Sequence, residues 1–409
     1  MNSHRHPASA RFPIVGQELA VAGVPLSMVA ARVGRTPFYA YDRTLVRARV
    51  DELRAVLPPQ VRLHYAIKAN PMPALVSFML NHVDGLDVAS GAELMVALDA
   101  GCNQREVSFA GPGKSETELN QAVAAGVLIN VESSREVELL AQITAHLRRT
   151  ARVAVRVNPN FELKSSGMKM GGGAKQFGID AEKVPEVLEE IGKRGLAFEG
   201  FHIFSGSQNL RADAICEAQS NALELAVRLA AHASAPVRSL NLGGGFGIPY
   251  FPGDKPLDVA PIGQHMRGLV ALAGQRLPAA TLVVELGRYL VGEAGIYVCR
   301  VIDRKVSRGE VFLVTDGGLH HHLSASGNFG QVIRKNYPVE IGNRLSEGPR
   351  EVASVVGPLC TPLDLLADRM ELPVAAPGDL VVVYQSGAYG LTASPLQFLN
   401  HPPPAEVLV

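Results

Sequence analysis

Eight times between residues 62 and 287 a short apolar run ends in a polar or glycine turn, usually followed by a segment of helical period rich in Ala, Leu and Glu. The runs are Arg62–Lys68, Gly85–Ser90, Val107–Gly111, Leu128–Glu132, Arg152–Asn158, Phe198–Ser205, Ser239–Gly245 and Thr281–Gly287. Between them lie Ala92–Ala100, Glu116–Ala125, Arg135–Leu147, Val184–Lys193, Ala212–Ala231 and Pro261–Ala273. Strands that alternate with helices pair in parallel through right-handed crossovers. Eight such units predict a closed (β/α)8 barrel of the TIM type. An open doubly wound sheet would carry G-x-G-x-x-G after its first strand. Here that strand runs into Lys68-Ala69-Asn70-Pro71.

A barrel of about 250 residues leaves a large part of the 409-residue chain over. After Gly292 the texture changes. Ile296–Val306, Val311–Asp316, Glu351–Val356 and Asp379–Tyr384 read as strands with Gly and Pro turns between them. Gln17–Thr36 reads as part of the same β-rich domain. The expected division is a barrel over 40–291 and a discontinuous β domain over 1–39 and 292–409. Glu162–Gln176, rich in glycine, is an insertion after the fifth strand. It is expected to cover an active site, a plain surface loop being the other reading.

Charge excludes several partners. Lys+Arg and Asp+Glu number 39 each, so nothing draws the chain to nucleic acid or to an anionic membrane. No run of 18 apolar residues is present, so no membrane span is expected. Met1–Phe12 lacks the apolar stretch of a signal peptide. The cysteines Cys102, Cys216, Cys299 and Cys360 form no C-x-x-C pair and fit a reducing cytoplasm.

Barrel enzymes carry their reactive groups at the C-terminal ends of the strands. Those ends supply Lys68; Asp87, Ser90 and Glu93; Arg156 and Asn158; His202 and Ser205; Gly243, Gly244 and Gly245; and Glu285, Gly287 and Arg288. Lys68 closes the apolar strand His64-Tyr65-Ala66-Ile67, and a desolvated lysine there can form a Schiff base. The run Gly243–Gly247 lets backbone N–H groups approach a phosphate, with Ser205 and Arg288 to complete the cup. It is no P-loop, because no Gly-Lys-Ser/Thr follows. Glu285 is an acid in an apolar strand and needs a cationic or donor partner. An ion pair with Arg288 is one reading; a partner for a protonated ring nitrogen is the other. His202 is either a core histidine or a face for a flat aromatic ring. His320-His321-His322 cannot all face one metal from a strand, so no metal site is expected.

A lysine for an imine, a phosphate cup and a carboxylate for a pyridinium describe pyridoxal 5'-phosphate. In these motifs, with Gly357-Pro358-Leu359-Cys360 and Ser386-Gly387-Ala388-Tyr389-Gly390, the chain resembles the fold-type III pyridoxal-phosphate decarboxylases, the group of diaminopimelate and ornithine decarboxylases. The resemblance runs from about Thr36 to Val409. It implies an alanine racemase-like barrel, α-decarboxylation of an amino acid, and a homodimer with shared active sites. Lys68 would be the Schiff-base lysine and His202 the ring-stacking residue, with Asp87 and Arg156 also at the cofactor. Ser205, Gly244, Gly245, Arg288 and Tyr389 would surround the phosphate, with Gly287 also at the cofactor. Glu285 would pair with the pyridine nitrogen, and Cys360 of one subunit would reprotonate the substrate of the other. Two departures bear on the substrate. Leu286 replaces the usual proline of Glu-Pro-Gly-Arg. Thr361 replaces the acid that meets a distal ammonium, although Asp364 could supply that charge. Thr361, Asp364 and His320 are therefore the substrate-contact candidates. The insertion Lys164–Gly173 and the run His320-His321-His322 are also unlike diaminopimelate decarboxylase. They look most like the subgroup encoded with exosortase and exopolysaccharide systems and are similar to the butirosin-pathway enzyme, whose glutamyl substrate rides on an acyl-carrier protein. An amino-acid racemase and a non-catalytic pyridoxal-phosphate-binding homologue are the alternatives; the carboxylate at Glu285 speaks against the first.

Overall fold

The computed structural model describes residues 10–161, 168–169, 171–251, 253–331, 334–345 and 348–409. The chain forms two compact units. One comprises residues 50–248 and 255–289, the other 1–49, 249–254 and 290–409.

The first unit is a closed barrel. Its strands are β1 (Arg62–Ala66), β2 (Gly85–Val88), β3 (Val107–Phe109), β4 (Leu128–Val131), β5 (Arg152–Asn158), β6 (Ala197–His202), β7 (Ser239–Gly244) and β8 (Thr281–Leu286). Each pairs in parallel with the next, β8 pairs with β1, and the β4–β5 pairing completes the ring. Nearly every strand residue is buried, as parallel strands covered by helices must be. All eight expected strands and all six expected helices are present. The helix Val184–Lys193 buries Val184, Val187, Leu188 and Ile191, the i, i+3, i+4, i+7 stripe of a helix on a sheet. Ser90 and Glu93, read as site candidates, also take part in capping a helix. Ser90 accepts the Glu93 N–H of the first turn of Gly91–Asp99, and Glu93 accepts the Ala89 N–H just before the cap.

Register decides what meets at the barrel's C-terminal end. Arg156 of β5 lies beside His202 of β6, and His202 beside Asn241 of β7. A bulge in β7 then shifts the pairing, so that Gly244 rather than residue 243 stands opposite Glu285 of β8. On the other side Glu285 faces His64, and Ala66 faces Asp87. Of the 162–176 insertion, 162–167 and 170 lie outside the described residues. The limb Gly171–Asp180 returns to the barrel, and Ile179–Asp180 adds a short parallel strand to β5.

The second unit is a sheet in the order Val339–Ile341, Leu380–Val383, Gly295–Ser307, Glu310–Thr315, Arg350–Val356, Leu365–Pro373. Phe38–Tyr41 pairs antiparallel with the start of Gly295–Ser307 and parallel with Ala405–Leu408. The expected division at 39/40 cuts through this strand. Phe12, Leu19, Leu26, Phe38, Ile296, Val298 and Val382 form its core. Part of the segment read into this β-rich domain is helix, Leu26–Val33. Its apolar residues Leu26, Val29, Ala30 and Val33 recur at helical spacing, and Gly34 ends it in the left-handed conformation. No helix among the described residues is long and apolar enough to cross a membrane.

Candidate active site

Glu285, next to last in β8, has a side chain that is 6% exposed. One carboxylate oxygen is 3.6 Å from Lys68 Nζ, and the other is 3.0 Å from His202 Nε2. Asn241 Nδ2 donates to that second oxygen at 3.0 Å. Burial alone would push the Glu285 pKa up. The charges of His202 and then Lys68, with a smaller part from Arg156, outweigh it and hold the group well below the ordinary carboxylate range. The acid is therefore ionised at neutral pH, and the expected alternative, an ion pair with Arg288, is not the pairing found.

Lys68 follows β1 in a 3-10 turn, Ile67–Ala69. Its side chain is 44% exposed, while the amine stays near Glu285 and lies 5.8 Å from the Phe204 ring centre. His202 is 2% exposed, and its Nδ1 has no hydrogen-bond partner among the described residues. Asp87 Oδ1 is 3.3 Å from His64 Nδ1, and Oδ2 is likewise buried and unpartnered. Arg156 is held by Glu132 at 2.8 Å and stacks over Phe177 at 5.0 Å.

The glycine run is a close-packed cradle. A Cβ on Gly244 would lie 1.9 Å from Glu285 O. One on Gly245, at φ +75°, would lie 2.1 Å from Gly206 O. Asn241 Oδ1 accepts the Gly243 N–H at 2.8 Å, and the 206–209 loop is tied alongside by Asn209 N–H to Gly245 O at 2.9 Å. Ser205 is buried beside this loop, Arg288 follows β8, and Gly287 packs on Ala66 and Ala69, where a Cβ would be 2.8 Å from Ala69 Cβ.

The remaining candidates lie in the second unit. Cys360 is exposed and Thr361 half-buried on the turn before Leu365–Pro373. Tyr389 is half-buried at φ +53°, and its carbonyl accepts the Ser324 hydroxyl. Asp364 needs correction. It is 3% exposed, and its two oxygens accept the N–H groups of Leu319 at 2.6 Å and Leu359 at 2.8 Å. It ties two loops together rather than offering a charge for a distal ammonium. The three histidines are buried and point to different partners. His321 Nε2 is 2.9 Å from Pro402 O and His322 Nε2 is 2.8 Å from Ser386 Oγ. Neither ring nitrogen of His320 has a partner among the described residues. Its complete burial withholds it from a ligand at the surface of this unit.

Sequence reading missed Asn241 and the pair Glu132 and Lys114. Asn241 had left a signal, a lone amide in the apolar strand Leu240-Asn241-Leu242. Glu132 had left one as well, the end of the apolar run Leu128–Glu132, whereas the Glu136 partner of Lys114 lies on the helix after that run.

The site is cofactor-shaped. An amine, an ionised carboxylate and a flat buried imidazole with an unpartnered nitrogen stand together beside a side-chain-free backbone cradle. These residues fit a pyridine ring carrying an aldehyde and a phosphate. Comparison with known proteins agrees. Residues 43–292 match the family described as pyridoxal-dependent decarboxylase, pyridoxal binding domain. L-glutamyl-(BtrI acyl-carrier protein) decarboxylase of Niallia circulans is 40% identical over 381 residues, 91% of this chain and 88% of that one. Diaminopimelate decarboxylase of Aquifex aeolicus is 33% identical over 395 residues, 96% and 90% of the two chains. The crystal structure of diaminopimelate decarboxylase from Helicobacter pylori complexed with L-lysine superposes with a TM-score of 0.81 at 26% identity, covering 94% of each chain. The chain thus belongs to the pyridoxal-dependent decarboxylases, carbon–carbon lyases with an alanine racemase-like barrel and pyridoxal phosphate as cofactor.

Proposed function

We propose that this decarboxylase acts on an aminoacyl group held on an acyl-carrier protein, with Lys68, His202 and Glu285 at the centre of its site. The observation that carries the placement is the ionised Glu285 within 3.6 Å of the Lys68 amine. Bound pyridoxal phosphate supplies an aldehyde for amine capture and a ring that takes up the electrons left as CO2 departs. Lys68 would hold it through Nζ. Glu285 would keep a proton on the ring nitrogen, because a carboxylate favours the charged pyridinium and a guanidinium opposes it. That contrast separates decarboxylation from the racemase alternative. His202 would lie on the ring face, with Asp87 and Arg156 at its edge. Ser205, Gly244, Gly245, Gly287 and Arg288 would bind the phosphate. For Tyr389 at the phosphate and Cys360 as the proton donor to the substrate carbon, support comes from their sequence motifs alone. The same motifs support a homodimer with shared sites, and four free cysteines are in keeping with the cytoplasm.

Two observations support a substrate without a distal ammonium. Thr361 is neutral where an acid would meet it, and Asp364 is occupied by backbone amides. The name of the 40% identical relative supports a carrier-bound glutamyl group. The experiment offers the loaded enzyme free glutamate, diaminopimelate, ornithine and lysine beside glutamyl acyl-carrier protein, and follows CO2. The carrier-bound group should react fastest. Turnover confined to the dibasic amino acids would overturn the substrate assignment.

A further inference from the structure

The carboxylate of Glu132, at the end of β4, gathers donors from three separate places on the barrel. Its Oε1 accepts the Gly111 N–H beyond β3 at 2.6 Å and Arg156 of β5 at 2.8 Å. Its Oε2 accepts the Gly178 N–H, on the limb Gly171–Asp180, at 2.9 Å. Glu132 and Arg156 are both 7% exposed. A simple ion pair would need only one of these contacts. Behind Glu132 the charges are balanced. Lys114 Nζ lies 3.1 Å from Glu136 Oε1, and Glu136 Oε2 accepts the Glu132 N–H at 2.8 Å.

The limb in turn grips Arg156 and its strand. Phe177 covers the guanidinium. Asn158 donates to Gly173 O at 2.9 Å and to Asp180 Oδ1 at 2.8 Å. Gly178, at φ +72°, passes so close that a Cβ would lie 2.9 Å from Arg156 O. Arg156 is thus clamped between Glu132 and Phe177, in register with His202.

We propose that Glu132 is a positioning residue, whose one carboxylate sets the seating of the Gly171–Asp180 limb and the aim of the Arg156 guanidinium together. The inference rests on the reading of Arg156 as a cofactor contact.

E132Q keeps the shape but replaces one acceptor oxygen by a donor, so the three donors cannot all be met. Two readouts follow it. In the protein stripped of cofactor, trypsin cleavage after Lys175, identified by mass, should quicken about tenfold, the scale on which members of one buried network couple. Affinity for added pyridoxal phosphate, read by absorbance, should fall by a similar factor. The double variant E132Q R156K should lose no more affinity than the worse single variant, because both substitutions break one clamp. Cleavage and affinity within about twofold of wild type, or losses that multiply in the double variant, would overturn the proposal. If E132Q does not fold, F177L decides, since it loosens the same clamp from the limb side and must move both readouts in the same direction. Should wild type itself bind no pyridoxal phosphate, the cofactor reading fails, and the cleavage arm still tests the clamp.

Discussion

Buried ionisable groups gather in two regions, and they are handled in opposite ways. At the barrel's end, Glu285 is surrounded by Lys68, His202 and Asn241, so burial is overridden and the acid stays charged. In the sheet unit, His320, His321 and His322 are equally buried, but no carboxylate among the described residues pairs with them. Their neighbours are one another, His401, Tyr297, Ser386 and backbone carbonyls. Burial therefore wins, lowering their pKa values to about 3, 4 and 3, and the rings are neutral. Desolvation penalises charge in both places, and a counter-charge within about 4 Å decides the outcome.

The comparison breaks first at Lys68. K68A would remove the proposed covalent attachment point, and turnover should drop by more than about 10⁴-fold with loss of the bound chromophore. Residual activity above that would show that another amine serves. E285Q comes next. It removes the acid beside Lys68 and His202, and kcat should fall by about 10²–10⁴-fold while cofactor still binds. The pH dependence has a definite sign. An acid with a lower pKa folded than unfolded stabilises the native state above the ordinary value of 4.5, and that contribution fades as pH falls through the folded value. Wild type should thus lose stability below pH 4.5 more steeply than E285Q, as urea midpoints at several pH values would record. G245A tests the cradle. Its Cβ has no space beside Gly206 O, so cofactor affinity should weaken by about tenfold or more, with a cost of about 1–3 kcal/mol for the left-handed backbone. An unchanged affinity would separate the glycine run from phosphate binding.

The smallest effect sharpens the other side. Histidines neutral when folded take up protons when unfolded, so the histidine cluster destabilises the protein as pH drops from 6.5 toward 4. H320L deletes ring nitrogens that have no partner among the described residues. Its stability at pH 7 should lie within about 1 kcal/mol of wild type, and its loss on acidification should be shallower. A steep loss at pH 7 would mean that His320 hydrogen-bonds to a group outside the described residues.

Much of this was open to a reader of the sequence, for reasons of range. The barrel strands announce themselves by local alternation, and Lys68, Glu285 and the glycine run are conspicuous for sitting at strand ends. The helix Leu26–Val33 was not singled out within the segment assigned to the β-rich domain, although its own spacing is helical. Asp364 looked like a spare charge because its sequence neighbours do not reveal the amide of Leu319, 45 residues away, that shares it with Leu359.

By itself the sequence determined the periodicity, and with it the closed barrel and the order in which polar residues reach its rim, since both depend on neighbours a few residues apart. Charge states and partnerships were decided only by the tertiary structure. Whether Glu285 ionises, whether His320 stays neutral, and whether Glu132 can hold three donors depend on groups brought within about 4 Å from distant parts of the chain, where electrostatic energies are largest.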